Sequence, residues 1–265
     1  MGVAMSVYRR AAELTEAGET VALATVTRVE GSAPQDPGAT MLVRADGDVE
    51  GTIGGGTVEE LTREAAVEAI EERESRTEHW VLRPDGNTGM VCGGEMTVFV
   101  NVVDGTQRLI IAGAGHIAEP LSRMAPELGY DVFVVDDREA YATEERFPNA
   151  TRYVGDYDAG LAEFGVTPNT AVAVASRSGT FDRIAAREAL ERGAYYVGLV
   201  ASETKAEHVR DGLREDGLDD GALERLHSPV GLDLGGGDPA DVALSILAEL
   251  NRVRHGLPTG RVTAE

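Results

Sequence analysis

The side chains and backbone turns of this chain that are suited to chemistry are few, and most of them are glycines. Gly113, Ala114, Gly115, His116, Ile117 and Ala118 form a G-x-G-x-x-A run directly after the apolar stretch RLIIA and at the opening of a helical segment. Without side chains at the turn, backbone N–H groups can approach a pyrophosphate, and a helix start adds donors and about half a positive charge. Asp136 closes the next apolar run, at about the 20-residue spacing at which a carboxylate accepts ribose hydroxyls. That spacing predicts an NAD-like nucleotide, whereas Arg138 beside it suits a phosphate. A turn kept only for tight helix packing is the alternative. His116 sits in the turn, either donating to a phosphate or as an ordinary exposed loop histidine.

A second corner, Gly54-Gly55-Gly56, precedes a helix in which Thr57 and Glu60 have the spacing of a capping box. Clustered glycine amides there are a ready anion site, with a tight strand-to-helix corner as the plain alternative. Cys92 lies in Met90-Val91-Cys92-Gly93-Gly94, where two glycines let a ligand reach sulfur. A thiolate there can relay sulfur or touch a soft metal, although a lone cysteine is equally at home as a small buried hydrophobe. In Ser176-Arg177-Ser178-Gly179-Thr180-Phe181-Asp182, a capping role for Ser178 or Thr180 outweighs catalysis. The chain carries no nucleophile elbow, P-loop or kinase signature. Arg28, Arg83 and Arg177 are candidate charge partners for an anionic ligand.

These residues need two different frameworks to position them. In residues 1–104, a helix from Ser6 to Ala17 is followed by the alternating strand VALATVTRV, the strands TMLVR and VEGTI, a helix to Arg73, and the strands TEHWVL and EMTVFVNVV. This predicts a small α+β domain. In residues 105–256, the apolar runs RLIIAG, YDVFVV, TRYVG, TAVAVAS and AYYVGLV alternate with helices, which predicts a Rossmann-like doubly wound parallel sheet. A last helix begins with Asp238 as cap, Pro239 in its first turn and Asp241 behind it, its apolar face packing on the sheet. Residues 257–265 read as a loose tail. The whole is an α/β protein.

Composition narrows the function classes. The chain has 265 residues and a net charge of −22, and Lys205 is the single lysine among 24 basic side chains. Such a surface repels nucleic acid and suits a salty cytosol. No apolar run approaches the roughly 20 residues of a membrane span, so a cytoplasmic protein away from membranes is expected. One cysteine and five scattered histidines argue against a protein-built metal site, and none is expected.

Taken together, GSAPQDPGATMLV, GTIGGGTVE, GMVCGGEMTVFV, LIIAGAGHIAEPL, VVDDR, SPVGLDLGG and ADVALSILAEL resemble the XdhC/CoxI family in its own order, from about residue 6 to residue 255. The resemblance implies a maturation factor for molybdenum hydroxylases of the xanthine, aldehyde or carbon monoxide dehydrogenase type. Such factors bind molybdenum cofactor, as molybdopterin or its dinucleotide, support its sulfuration, and insert it into the apo-enzyme. Cysteine desulfurase is the sulfur donor this implies, and a homodimer is a plausible assembly. Gly54, Gly55, Gly56 and Glu59 match the family's first glycine motif, and Cys92, Gly93 and Gly94 the second. Thr57 stands where some branches carry cysteine, which leaves Cys92 as the sulfur available for relay. With no cysteines for iron–sulfur clusters, a cofactor chaperone rather than a catalyst is expected. Two further readings stand beside it: an NAD-dependent oxidoreductase resting on Gly113, Gly115 and Asp136, and a nucleotide-sensing interaction module.

Overall fold

The computed structural model describes residues 2–89 and 93–258, with the side chains of 2–5 left aside. Met90, Val91 and Cys92 lie outside the described residues. The chain divides between Thr106 and Gln107 into two units.

The first unit comprises α1 (Gly2–Glu16), β1 (Val21–Glu30), β2 (Thr40–Arg44), β3 (Val49–Gly51), α2 (Gly56–Glu72), β4 (Arg76–Val81) and β5 (Glu95–Val103). Its sheet is antiparallel, in the order β3-β2-β1-β5-β4. The strand period of two sends Ala22, Ala24 and Val26 to one face, where Val58, Ala66, Ala69 and Ile70 of α2 meet them with Met41, Val98 and Val100. On the other face Val7, Ala11 and Leu14 of α1 cover Val21, Leu23 and Leu42. The edge strand β4 is blunted by a side chain that imitates a neighbouring strand. The Asn87 amide accepts from Val81 N–H at 2.8 Å and donates to the His79 carbonyl at 2.9 Å, and the Thr88 hydroxyl donates to the Val81 carbonyl at 2.8 Å.

The second unit comprises β6 (Gln107–Ala112), α3 (Ala118–Met124), a 3-10 turn (Ala125–Leu128), β7 (Tyr130–Asp136), β8 (Thr151–Val154), α4 (Tyr157–Phe164) and β9 (Thr170–Val174). It continues with α5 (Gly179–Glu191), β10 (Tyr196–Leu199), α6 (Glu203–Glu215), α7 (Asp220–Leu223), β11 (Leu226–His227) and α8 (Pro239–Arg254). All its strand pairs are parallel, in the order β11-β10-β9-β6-β7-β8. The central strands β6, β9 and β10 are buried on both faces, which is why they read as continuous apolar runs, whereas the edge strand β8 is partly exposed. Residues of α3 and α8 close one face, and those of α4, α5 and α6 the other. The mixed α/β architecture, an antiparallel first unit followed by a Rossmann-like sheet, is the one expected from the sequence.

Two local expectations are corrected. The helix anticipated between β7 and β8 is absent, and residues 137–150 form turns. Pro148 breaks a helix there, and the Arg146 guanidinium is spent on the Ala114 and Tyr141 carbonyls and on Glu119. The sheet also gains β11, a two-residue strand beyond β10 too short to carry a sequence signal. Among the described residues, no helix is long and apolar enough to cross a membrane.

Candidate functional site

In the first unit the chain enters α2 through three glycines with φ of 134°, 74° and 62° at Gly54, Gly55 and Gly56. That left-handed path strains any residue with a Cβ. Gly55 is the residue that caps α2, so Thr57 lies inside the helix and the expected Thr57–Glu60 capping box does not form. Glu59 takes the role instead. Its carboxylate accepts from Gly55 N–H at 3.0 Å, Ile53 N–H at 3.3 Å and the Thr52 hydroxyl at 2.5 Å. Gly54 N–H goes to the Thr52 hydroxyl at 3.0 Å, and Glu60 pairs with Arg63 at 2.5 Å. The corner's amides, expected to be vacant for an anion, are thus partly taken by an internal carboxylate.

The loop after β1 joins this corner to the second glycine pair. A Cβ on Gly54 would stand 2.5 Å from the Pro34 ring, and one on Gly31 3.1 Å from the Gly94 Cα. A Cβ on Gly94 would collide with the Ser32 carbonyl and lie 2.6 Å from the Glu30 carbonyl. Gly54 and Gly94 therefore both serve close packing against residues 30–34. Gly55, Gly56 and Gly93 are different, because a Cβ there would meet nothing within 4 Å. They present backbone to open space. Gly93 N–H and Gly94 C=O pair with Leu82 at 2.8 and 2.9 Å, which extends the β4–β5 ladder up to the residue next to Cys92. Cys92 itself lies outside the described residues.

The expected cationic partners are engaged elsewhere. Arg28 pairs with Glu30 at 2.5 Å, Arg83 with Glu95 at 2.6 Å and Arg177 with Asp137 at 2.5 Å.

In the second unit the G-x-G-x-x-A turn follows β6 as expected. Gly113, with φ 119°, lies so close to β9 that a Cβ would run into the Ala175 carbonyl. At Gly115 a Cβ would meet only that carbonyl oxygen, at 4.0 Å. Asp136 is fully buried at the end of β7. One of its oxygens accepts from Ala114 N–H at 2.8 Å and from Arg138 Nη2 at 2.8 Å, and the other from Arg138 N–H at 2.9 Å and Arg138 Nε at 2.8 Å. Burial pushes this carboxyl up, but the guanidinium and the two amides outweigh it and hold its pKa below the ordinary value. The expectation of a carboxylate free for ribose hydroxyls is corrected: four N–H donors already fill it, and it ties the glycine turn to β7. Arg138 is the counter-ion, with its guanidinium 3.7 Å from the centre of the Tyr141 ring. The Tyr157 phenol is buried nearby, its pKa raised by burial and by Asp136 and Asp137.

A cavity of about 350 Å³ opens at the carboxyl edge of the sheet, where the strand order reverses between β6 and β9. Gly115, His116 and Ile117 line one side, Ala175, Ser176 and Val200 another, and Gly237, Pro239 and Val242 a third. His116 is exposed at this cavity. Ser178 caps α5, its hydroxyl accepting Phe181 N–H at 3.4 Å, as its sequence position suggested. In the loop of Ser176, sequence reasoning weighed only Ser178 and Thr180, although the Ser176 partners, the Ser178 carbonyl and Asp182, lie two and six residues on. It also missed that Gly237 lines the same cavity as the turn after β6. A second glycine run before a capped helix, resembling 54–56, was the available signal. Asp241 of α8 accepts from Gly237 N–H at 3.2 Å and Asp238 N–H at 3.3 Å, so the expected N-terminal cap is present.

Comparison with known proteins joins these two units to one family. Residues 14–83 match the model described as XdhC and CoxI family, and residues 109–250 the model described as XdhC Rossmann domain. The chain is 35% identical over 260 residues to "Uncharacterized protein YqeB" of Escherichia coli (strain K12), covering 97% of this chain and 48% of that protein. It is 29% identical over 158 residues to a probable xanthine dehydrogenase subunit of Bacillus subtilis (strain 168), covering 59% of this chain and 46% of that one. The chain thus spans about half the length of the curated relatives it matches. The fold is similar to a crystal structure of a xanthine dehydrogenase from Bacillus halodurans, with a TM-score of 0.51, 20% identity, and 97% of this chain and 96% of that chain covered. With both domain models matched in order along one chain, this protein belongs to the XdhC/CoxI family.

Proposed function

We propose that this chain is a maturation factor for a molybdenum hydroxylase of the xanthine dehydrogenase type, binding molybdenum cofactor as cargo, supporting its sulfuration and inserting it into the apo-enzyme. The observation that carries this reading is the ordered match to both XdhC models. The first-unit corner is compatible with a flat anionic cargo. Gly55, Gly56 and Gly93 leave room around the backbone, but the Glu59 carboxylate competes with any phosphate for the Gly55 amide and Leu82 already takes the Gly93 amide. Glu59 would instead receive ring N–H groups. Cys92, covalently next to Gly93, would supply sulfur relay or contact to molybdenum. The recipient hydroxylase and a cysteine desulfurase are the partners this function requires, and a homodimer is its simplest assembly. An NAD-linked reading gains no support from Asp136, whose lone pairs are already filled.

The test is co-expression with the molybdopterin pathway. The purified chain is expected to retain molybdopterin and to raise the activity of a co-expressed apo-hydroxylase, and Cys92→Ala to lose the activation. Absence of molybdopterin from the purified wild-type chain defeats the reading. Unchanged activation by Cys92→Ala removes the cysteine from it.

A further inference from the structure

The single lysine of the chain is placed on the single fully buried aspartate of α5. Lys205, on α6, forms an ion pair with Asp182, a carboxylate with no exposed surface. The other Asp182 oxygen faces Ser176 Oγ at 2.5 Å, and Ser176 lines the cavity at the carboxyl edge of the sheet. In a chain whose other 23 Lys/Arg side chains are all arginine, a compact ammonium is the partner of a carboxylate with no exposed surface.

The consequence is a polarity. A serine hydroxyl has one proton and two lone pairs. Its proton is contested by the Asp182 carboxylate at 2.5 Å and the Ser178 carbonyl at 3.0 Å, and the nearer carboxylate, ion-paired with Lys205, is the stronger acceptor. Ser178 N–H approaches one lone pair at 3.4 Å. The oxygen is then left to the cavity as an acceptor. A carboxylate is too weak a base to make this hydroxyl a nucleophile at neutral pH. Beside it stands the Ala175 carbonyl, another acceptor, and the rest of the wall is largely apolar, with Ile117, Val200 and Val242.

We propose that Ser176 is a ligand-binding residue that accepts N–H donors from a planar amino- or lactam-bearing heterocycle of the purine kind, with Asp182 and Lys205 as the positioning residues that fix its polarity. Nothing in this depends on the molybdopterin reading.

GMP and IMP are suitable probes, because they differ only by the exocyclic amino group and their shared phosphate and ribose cancel in the ratio. Calorimetric titration of the full chain is expected to give GMP about tenfold tighter than IMP, the value of one hydrogen bond. In Ser176→Ala the ratio falls to about one. In Asp182→Asn, Lys205 holds the amide oxygen and turns the NH2 toward Ser176, where it fills the lone pair otherwise offered to the cavity while the hydroxyl proton passes to the Ser178 carbonyl, so the preference for GMP is lost as well. If Asp182→Asn does not fold, Ser176→Ala decides alone. A wild-type ratio near one, a ratio preserved in folded Ser176→Ala, or no saturable GMP binding overturns the proposal.

Discussion

Ala114 donates its N–H to the buried Asp136 carboxylate at 2.8 Å, and this bond fastens the glycine turn after β6 to the end of β7. An acidic residue at the spacing used for ribose recognition is here a structural clamp, shared with Arg138.

Asp136→Ala is expected to destabilise the protein by about 3 kcal/mol, since it leaves the Arg138 guanidinium and the Ala114 amide without their acceptor. Urea unfolding measures this. The carboxyl is held below its ordinary value, so its contribution is fully present above about pH 4 and is lost as the pH falls through the folded pKa. The difference between wild type and variant should shrink on acidification.

The paired glycines at 93 and 94 should separate. Gly94→Ala drives a Cβ into the Ser32 and Glu30 carbonyls and is expected to cost about 3 kcal/mol. Gly93→Ala, with φ 83° and open space around it, carries only the backbone term of about 1 kcal/mol. Thermal unfolding of the two variants checks the order, and equal losses would mean that the approach of residues 30–32 is not what constrains Gly94.

Glu59→Ala is expected to cost about 1 kcal/mol as a lost helix cap. Because it frees the Gly55 and Ile53 amides, sulfate should raise the Tm of this variant more than that of wild type. An equal response to sulfate in both proteins would show that the corner does not bind anions once its own carboxylate is gone.

His227 stacks on Tyr196, with ring centroids 4.6 Å apart, and sits 3.9 Å from Glu249. Burial lowers its pKa, partly offset by the attraction of Glu249, so the folded protein keeps the ring neutral. The unfolded chain takes up a proton near pH 6.5, and stability is full above that value and declines below it, down to the folded pKa. In His227→Phe the slope of unfolding free energy against pH just below 6.5 should be shallower than in wild type.

Much of the fold was legible because its signals are local. Apolar runs of strand length, a glycine turn and an acid-capped last helix are written in neighbouring residues, and so is the Ser178 cap. The helix anticipated over 137–150 was misread because Arg146 is drawn out of helical geometry by carbonyls of the turn after β6, a demand no local pattern records. Thr57 and Glu60 had capping-box spacing, yet three left-handed glycines start α2 early, with Gly55 at the cap position and Glu59 accepting its amide.

By itself the sequence determined the class of each half, the family, and the positions of the glycine corners, because hydrophobic period and glycine placement act within a few residues. Only the tertiary structure decided which of those corners are open. A side chain at Gly55, Gly56 or Gly93 would meet nothing, though the Gly55 and Gly93 amides are spent on Glu59 and Leu82; Gly94 and Gly113 are bare because another backbone lies against them and Gly54 because the Pro34 ring does, and Asp136, Arg28, Arg83 and Arg177 are already paired. The physical reason is that a hydrogen-bonding group can be offered to a ligand only if no other part of the fold has reached it first, and those competing groups arrive from distant stretches of chain.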